Sequence, residues 1–209
     1  SGRYFENSMT EILKRLYPKE IPRPVQRLDA TTTGVIVFAR TREAAAALMN
    51  EFKSRRIKKK YLALVEGEPE AKQFCIDAPI GVLNGSHRGI GDQVRKAKSA
   101  KTEVEWLASK NGRSLLKVNP ISGRTNQIRV HLSTIGHPIV GDLTYGGGAK
   151  RGCNEATSDR MRQILSQLNR QALHAQTLGF IHPLTEQLHT FTSQTPTDLK
   201  SLMDCFHIP

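Results

Sequence analysis

The amino-acid sequence predicts an α+β protein with a mixed, mainly antiparallel sheet and flanking helices. Three features predict it. Thr102 to Leu107 and Arg113 to Val118 alternate as strands on either side of a Lys110-Asn111-Gly112 turn, which suits an antiparallel hairpin. Glu43 to Phe52 places Ala44, Ala47, Leu48 and Phe52 on one helical face behind Thr41, a favourable N-cap. Gly34 to Ala39 is a continuous β-branched and aromatic run that suits a strand buried on both faces.

The other elements follow in order. Ile12, Leu13 and Leu16 stand at helical spacing and are stopped by Tyr17-Pro18, so a short amphipathic helix opens the chain and a Pro-rich connector runs on to Pro24. Arg27 to Thr33 is then a loop feeding the strand at Gly34. The next strand is Tyr61 to Glu66. Ahead of it, Lys53 to Lys60 holds six basic residues in eight, a pattern shared by solvated helix ends and phosphate contacts. Residues 84–101 are polar and carry Arg88, Arg95, Lys96, Lys98 and Lys101, as expected of a mobile basic loop. A loose stretch from Gly146 to Ser158 precedes a helix at Arg160 to Leu168, and Leu173 to Ile181 and Gln187 to Phe191 read as closing strands. At 209 residues, one catalytic-sized domain is expected.

Charge narrows the function. With 31 Lys plus Arg against 19 Asp plus Glu, a formal net charge of +12 and a pI near 9.9, a polyanion is the natural partner, and nucleic acid leads. The longest strongly apolar run, Val35 to Ala39, falls far short of the roughly 20 residues that span a bilayer. Cys75, Cys153 and Cys205 are too scattered for a disulfide framework or a metal clamp, so we expect a reducing, cytoplasmic setting and no structural metal.

Among the acids, Asp29 sits in a short loop between Arg27 and three threonines, immediately before an apolar strand. Rigidly held loops are where reactive groups are usually placed, although an Asp there also caps turns. A second segment, Ser122 to His131, is ambiguous. If extended, it sets Gln127, Arg129 and His131 on one side; if helical, Arg124 and Ile128 share a face. Arg129 lies between Ile128 and Val130, so its guanidinium points where a carboxylate must meet it.

Arg27-Leu28-Asp29-Ala30-Thr31-Thr32-Thr33-Gly34 resembles the signature of the RluA-type pseudouridine synthases. Lys60-Tyr61-Leu62-Ala63 is similar to the tyrosine motif of that family. Gly123 to His131, with Gly136-His137-Pro138-Ile139-Val140-Gly141-Asp142, is similar to its arginine motif, and Leu173-His174-Ala175 with His182-Pro183 to its closing segment. The blocks stand in family order from about Thr10 onward. Two positions depart from the pattern: Gln26 stands where relatives usually carry histidine, and Asn126 where they often do. The opening strand of the family, ending in a Lys-Pro-x-Gly turn, is expected before residue 1, and no S4-type domain is present in this stretch.

The resemblance implies the pseudouridine synthase fold, split around a central catalytic cleft that Asp29 and Arg129 face across. It implies isomerisation of uridine to pseudouridine in structured ribosomal or transfer RNA by a monomer, with no cofactor. Asp29 would be the catalytic carboxylate, Arg129 its ionic partner, and Tyr61 the ring stacked on the base. Arg27 would insert into the RNA where the nucleotide leaves the stack, while Arg124, Gln127, His131 and Leu173 would contact substrate. Lys59, Lys60 and Lys96 would grip the backbone. The rival reading is a non-catalytic RNA-binding or ribosome-assembly module, whose mark would be loss of Asp29, Tyr61 or Arg129; all three are present. A basic membrane-surface protein would need a broad apolar helix face, for which only the short helix near Ile12 is a candidate.

Overall fold

A computed structural model describes residues 8–146, 163–164, 166 and 168–205. In chain order its elements are α1 (Met9–Leu16), β1 (Arg23–Pro24), β2 (Thr33–Gly34), β3 (Phe38–Ala39), α2 (Arg42–Lys53), β4 (Lys58–Glu66), β5 (Gln73–Asp77), β6 (Ile80–Asn84), β7 (His87–Gly89), β8 (Arg95–Lys98), β9 (Lys101–Lys110), β10 (Arg113–Pro120), α3 (Gln127–Thr134), β11 (Leu173–Ile181), β12 (Leu188–Thr192) and α4 (Thr197–Cys205). The expected helix at 160–168 falls largely outside the described residues, as does most of the loose stretch after Gly146.

The main sheet has the order β12-β11-β4-β10-β9-β5, antiparallel throughout, with β2 added in parallel beside β11. The α+β expectation of a mixed, mainly antiparallel sheet is met. Asn111-Gly112 joins β9 to β10 as a two-residue hairpin loop. Thr41 caps α2, its hydroxyl accepting from the Ala44 amide at 3.1 Å.

Alternation along β4 decides what the site receives. Lys59, Tyr61, Ala63 and Val65 point to one side and Lys58, Lys60, Leu62 and Leu64 to the other. Leu62 to Val65 are all buried, so both faces of the strand are covered there, whereas Lys58 and Lys60 are exposed. α3 lies over β9 and β10, and its Ile128 and Leu132 join Ala63, Leu116 and Val118 in the principal core. A second cluster, including Leu48 of α2 with Val25, Ile57, Leu178 and Phe180, backs the loop that carries Asp29.

Two expectations are corrected. Gly34 to Ala39 is not one strand buried on both faces; of these six residues only Ala39 is fully buried. Gly34 has φ +118°, and a Cβ there would lie 2.1 Å from the Ala175 carbonyl oxygen, so the backbone passes against β11 and turns away after two paired residues. Phe38–Ala39 then pairs with β1 instead. Residues 84–101 are likewise not a loop: β8, with β6 and β7, forms a separate three-stranded sheet, and Lys101 already belongs to β9. Gly81 lies directly against Val94, which lets these polar strands close on a small apolar contact.

Candidate active site

Asp29 lies where four elements meet: its own loop, the start of α3, the middle of β4 and the start of β11. The loop is closed by a turn, with the Thr32 amide donating to the Asp29 carbonyl at 2.9 Å. A cleft of about 560 Å³ opens beside it, bounded by Arg27, Asp29, Tyr61, Arg124 and Leu173 and floored by Ser122 to Ile128. That is ample for one nucleotide and lies in the range of ordinary ligand sites. The expected central cleft is therefore present.

Arg129 does meet a carboxylate, but its main partner was not foreseen. Its guanidinium forks onto Asp142, Nε donating to Oδ2 at 2.7 Å and Nη2 to Oδ1 at 2.8 Å. The Asp142 side chain is fully buried, and its Oδ1 also accepts from the Thr144 and Tyr145 amides at 3.0 and 3.1 Å. Nη1 remains for Asn126 Oδ1, at 3.1 Å, and for Asp29 Oδ2, at the longer distance of 3.7 Å. The Tyr145 ring lies under the guanidinium, 4.9 Å from its centre, and the Tyr145 hydroxyl accepts from Asn126 Nδ2 at 3.0 Å. Asn126 reaches both because it holds a left-handed conformation, φ 57°, at the entry to α3. Asp142 thus anchors Arg129, and Arg129 presents its outer edge to Asp29.

Burial pushes the Asp29 carboxyl above the ordinary aspartate range, against the pull of Arg129 and Arg27. Burial, aided by the nearby Asp29 charge, pushes the Tyr61 phenol up to about 12. Lys59, two residues before Tyr61 on the same side of β4, is brought down to about 8 by burial, and its Nζ donates to the Ser122 carbonyl at 3.1 Å.

The structure places Arg27, Asp29, Tyr61 and Leu173 around one cleft, with Arg129 paired to Asp29 beside it. Arg27 is exposed at the mouth, whereas Leu173, 3 % exposed, forms part of the wall. Other expected contacts are corrected. Gln127 and His131, expected to contact substrate, are both buried, because α3 is helical rather than extended and turns them inward. The Gln127 amide is fully used, accepting from Ser122 Oγ and the Arg124 amide and donating to the Lys101 carbonyl and Thr102 Oγ1, at 2.8 to 3.0 Å. His131 has no exposed surface; its Nε2 lies 3.1 Å from the Ala78 carbonyl, which can only accept, so Nδ1 accepts from Thr102 Oγ1 at 2.9 Å. Both brace the cleft floor. Arg124 borders the cleft but spends its Nε on the Ser99 carbonyl at 3.0 Å. Lys59 faces into the cleft instead of standing with the surface lysines. Lys60 is exposed on the opposite side of β4, beside a second hollow shared with Lys58 and Lys117, and Lys96 is exposed on β8.

The residues missed are Asp142, Tyr145 and Gln171. Asp142 was visible as the end of a Gly-rich block; its contact with Arg129 was not. Among the described residues no group of His, Cys, Asp or Glu is placed to hold a metal ion.

An acid paired with a largely buried arginine beside a cleft large enough for a nucleotide, with a tyrosine on its wall, is an arrangement suited to chemistry on a nucleotide. Comparison with known proteins agrees. The profile of the RNA pseudouridylate synthase family matches residues 5–134. The chain is 38 % identical over 182 residues to an uncharacterized RNA pseudouridine synthase of Bacillus subtilis, covering 86 % of this chain and 55 % of that protein. It is 39 % identical over 186 residues to ribosomal large subunit pseudouridine synthase D of Nitrosomonas europaea, covering 88 % and 52 %. Among solved structures, human RNA pseudouridylate synthase domain containing 1 superposes with a TM-score of 0.75 at 28 % identity, covering 98 % of this chain and 80 % of that one. The chain belongs to the RNA pseudouridylate synthase family, and it spans about half the length of the curated relatives it matches.

Proposed function

We propose that this protein converts uridine to pseudouridine in structured RNA, with Asp29 as the reacting carboxylate. The reaction breaks the bond from uracil N1 to ribose C1′, rotates the base, and joins C5 to C1′; the hydrogen leaves C5 and N1 gains one. Atoms balance without an outside reagent. Asp29 either adds to the base or ribose or assists elimination, and each route needs the anion. The observation that carries the reading is the ion pair of Arg129 with Asp29 beside the cleft: a carboxylate half withdrawn from water, facing a guanidinium that favours its charge and is itself anchored elsewhere.

Tyr61 offers its ring for the flipped base to stack on, and its phenol stays protonated at neutral pH. A stacked uridine must leave its helix to reach Asp29, at a cost of a few kcal/mol, and exposed Arg27 at the mouth is placed to fill the gap. Lys58, Lys60 and Lys96 supply phosphate contacts on the outside. Ribosomal RNA is the substrate class we favour, because relatives carry the ribosomal large subunit in their names. We place the protein in the cytoplasm and expect it to act as a monomer.

Asp29→Asn tests the reading. With RNA tritiated at uracil C5, the parent protein should release tritium to water, and Asp29→Asn should release none while binding RNA within a few fold. Substantial release by folded Asp29→Asn would refute the assignment.

A further inference from the structure

We propose that Gln171 is a positioning residue for the reaction, clamping the Asp29 loop through the hydroxyls of Thr31 and Thr32. The inference rests on the reading of Asp29 given above. Three observations carry it. Gln171 is 5 % exposed, and both ends of its side-chain amide are spent on this loop: Oε1 accepts from Thr31 Oγ1, and Nε2 donates to Thr32 Oγ1 at 3.0 Å. Second, the backbone around Gln171 is tied by hydrogen bonds to the rest of the fold. The next residue, Ala172, donates to the Val140 carbonyl at 2.8 Å and accepts from the Leu64 amide at 3.0 Å, so it is tied to β4 and to the segment before Asp142. Arg170 completes the hold, forking onto Asp198 of α4 at 2.7 Å through both Nε and Nη2 and reaching the Gln171 carbonyl at 3.1 Å through Nη1. Gly141, at φ +77°, admits this segment, since a Cβ there would lie 2.3 Å from the Arg170 carbonyl oxygen.

Third, the threonines belong to the turn that presents Asp29, through the bond from the Thr32 amide to the Asp29 carbonyl. The neighbouring Thr33 hydroxyl sits 2.9 Å from Nδ1 of His174, a histidine 1 % exposed. Its Nε2 lies 3.4 Å from the Ser193 carbonyl, which can only accept, so Nδ1 accepts from Thr33. Three consecutive threonines are therefore each bonded to a buried side chain from one short segment, residues 171–174. A loop of small polar residues without such partners would fray, and Asp29 stands 3.7 Å from Arg129, a distance that a modest displacement would lose. A shift of about 1 Å at a reacting group can cost about a hundredfold in rate.

The test uses the whole chain and the tritium-release assay. Thr31→Val with Thr32→Val keeps the shape and removes both hydroxyls; Thr31→Ser with Thr32→Ser keeps the hydroxyls. Gln171→Met removes the clamp from the other side. The valine pair and Gln171→Met should each lower kcat at least about tenfold with RNA Kd unchanged, the serine pair should stay within about twofold of the parent, and combining the valine pair with Gln171→Met should cost no more than either alone. The acid limb of the rate profile should also move to lower pH in the valine pair, because a loosened Asp29 regains water and its raised pKa falls back; a smaller folded fraction would scale the profile without moving it. Parental turnover by the valine pair, additive losses, or an unmoved acid limb would overturn the clamp. Turnover by Asp29→Asn would instead overturn the reading beneath it, so the two failures are distinguishable.

Discussion

Asp142, not Asp29, should carry the stability of the arginine site, and Asp142→Asn isolates the effect. The substitution keeps the shape but removes the charge from a fully buried position where four N–H donors converge, two of them from Arg129. Arg129, with 11 % of its side chain exposed, would be left with Asn126 and a distant Asp29. Removing one member of a buried pair costs about 3–5 kcal/mol, because the other charge stays in a poor solvent. For a domain near 200 residues each kcal/mol moves the melting temperature by about 2–4 °C, so a fall of about 6–20 °C is expected. Asp29→Asn should behave differently. Its carboxylate is 21 % exposed and 3.7 Å from Arg129, which places the pair near the weak end of ion pairs, about 0–1 kcal/mol. Burial opposes its ionisation as well: a carboxyl whose folded pKa lies above its unfolded value destabilises the fold above that folded pKa and not below the unfolded one. Asp29→Asn should therefore be neutral or slightly stabilising at pH 7, with any gain gone near pH 3. Calorimetric melting of the three proteins at both pH values decides the matter. Asp142→Asn melting within about 2 °C of the parent, or Asp29→Asn destabilised as much as Asp142→Asn, would refute the reasoning.

Lys58→Ala with Lys60→Ala should leave kcat on saturating RNA unchanged and flatten the slope of log affinity against log salt by about 2, one for each phosphate no longer neutralised; fluorescence anisotropy across a salt series would measure it, and an unchanged slope would remove these lysines from the RNA path. Lys59 should show the opposite behaviour to a surface lysine. With a folded pKa of about 8 against an ordinary 10.5, the unfolded chain binds more protons between those values, so stability rises with pH through that window. Lys59→Met should then raise the melting temperature at pH 7, with the gain shrinking between pH 8 and 10.5; thermal unfolding across that range checks it.

Much of this protein was legible because it is local. The Thr41 cap, the Asn111-Gly112 hairpin and the loop presenting Asp29 are set by side chains acting on their own or adjacent backbone, and they stand where the sequence places them. The need of Arg129 for a carboxylate was also legible, since a guanidinium between Ile128 and Val130 cannot face an apolar core alone. What could not be read was which carboxylate. Asp142 lies thirteen residues on, and it reaches Arg129 only because Gly141 lets its turn settle against the Arg170 carbonyl. The state of residues 127–134 was hidden for a related reason. Gln127, Ile128, Val130, His131 and Leu132 are all buried, so the helix is covered on most sides and shows neither a clean 3.6-residue stripe nor a strand alternation. Gln127 and His131 looked like RNA contacts because polar residues announce only that they need partners. Lys101 and Thr102 of β9 and Ala78 between β5 and β6, all at least 25 residues away, supply them. Sequence by itself determined the capped helix, the tight hairpin, the charge and the family, whose motifs are contiguous; only tertiary structure decided which polar groups turn inward to brace the cleft and which remain on the surface, because that depends on partners brought from distant parts of the chain.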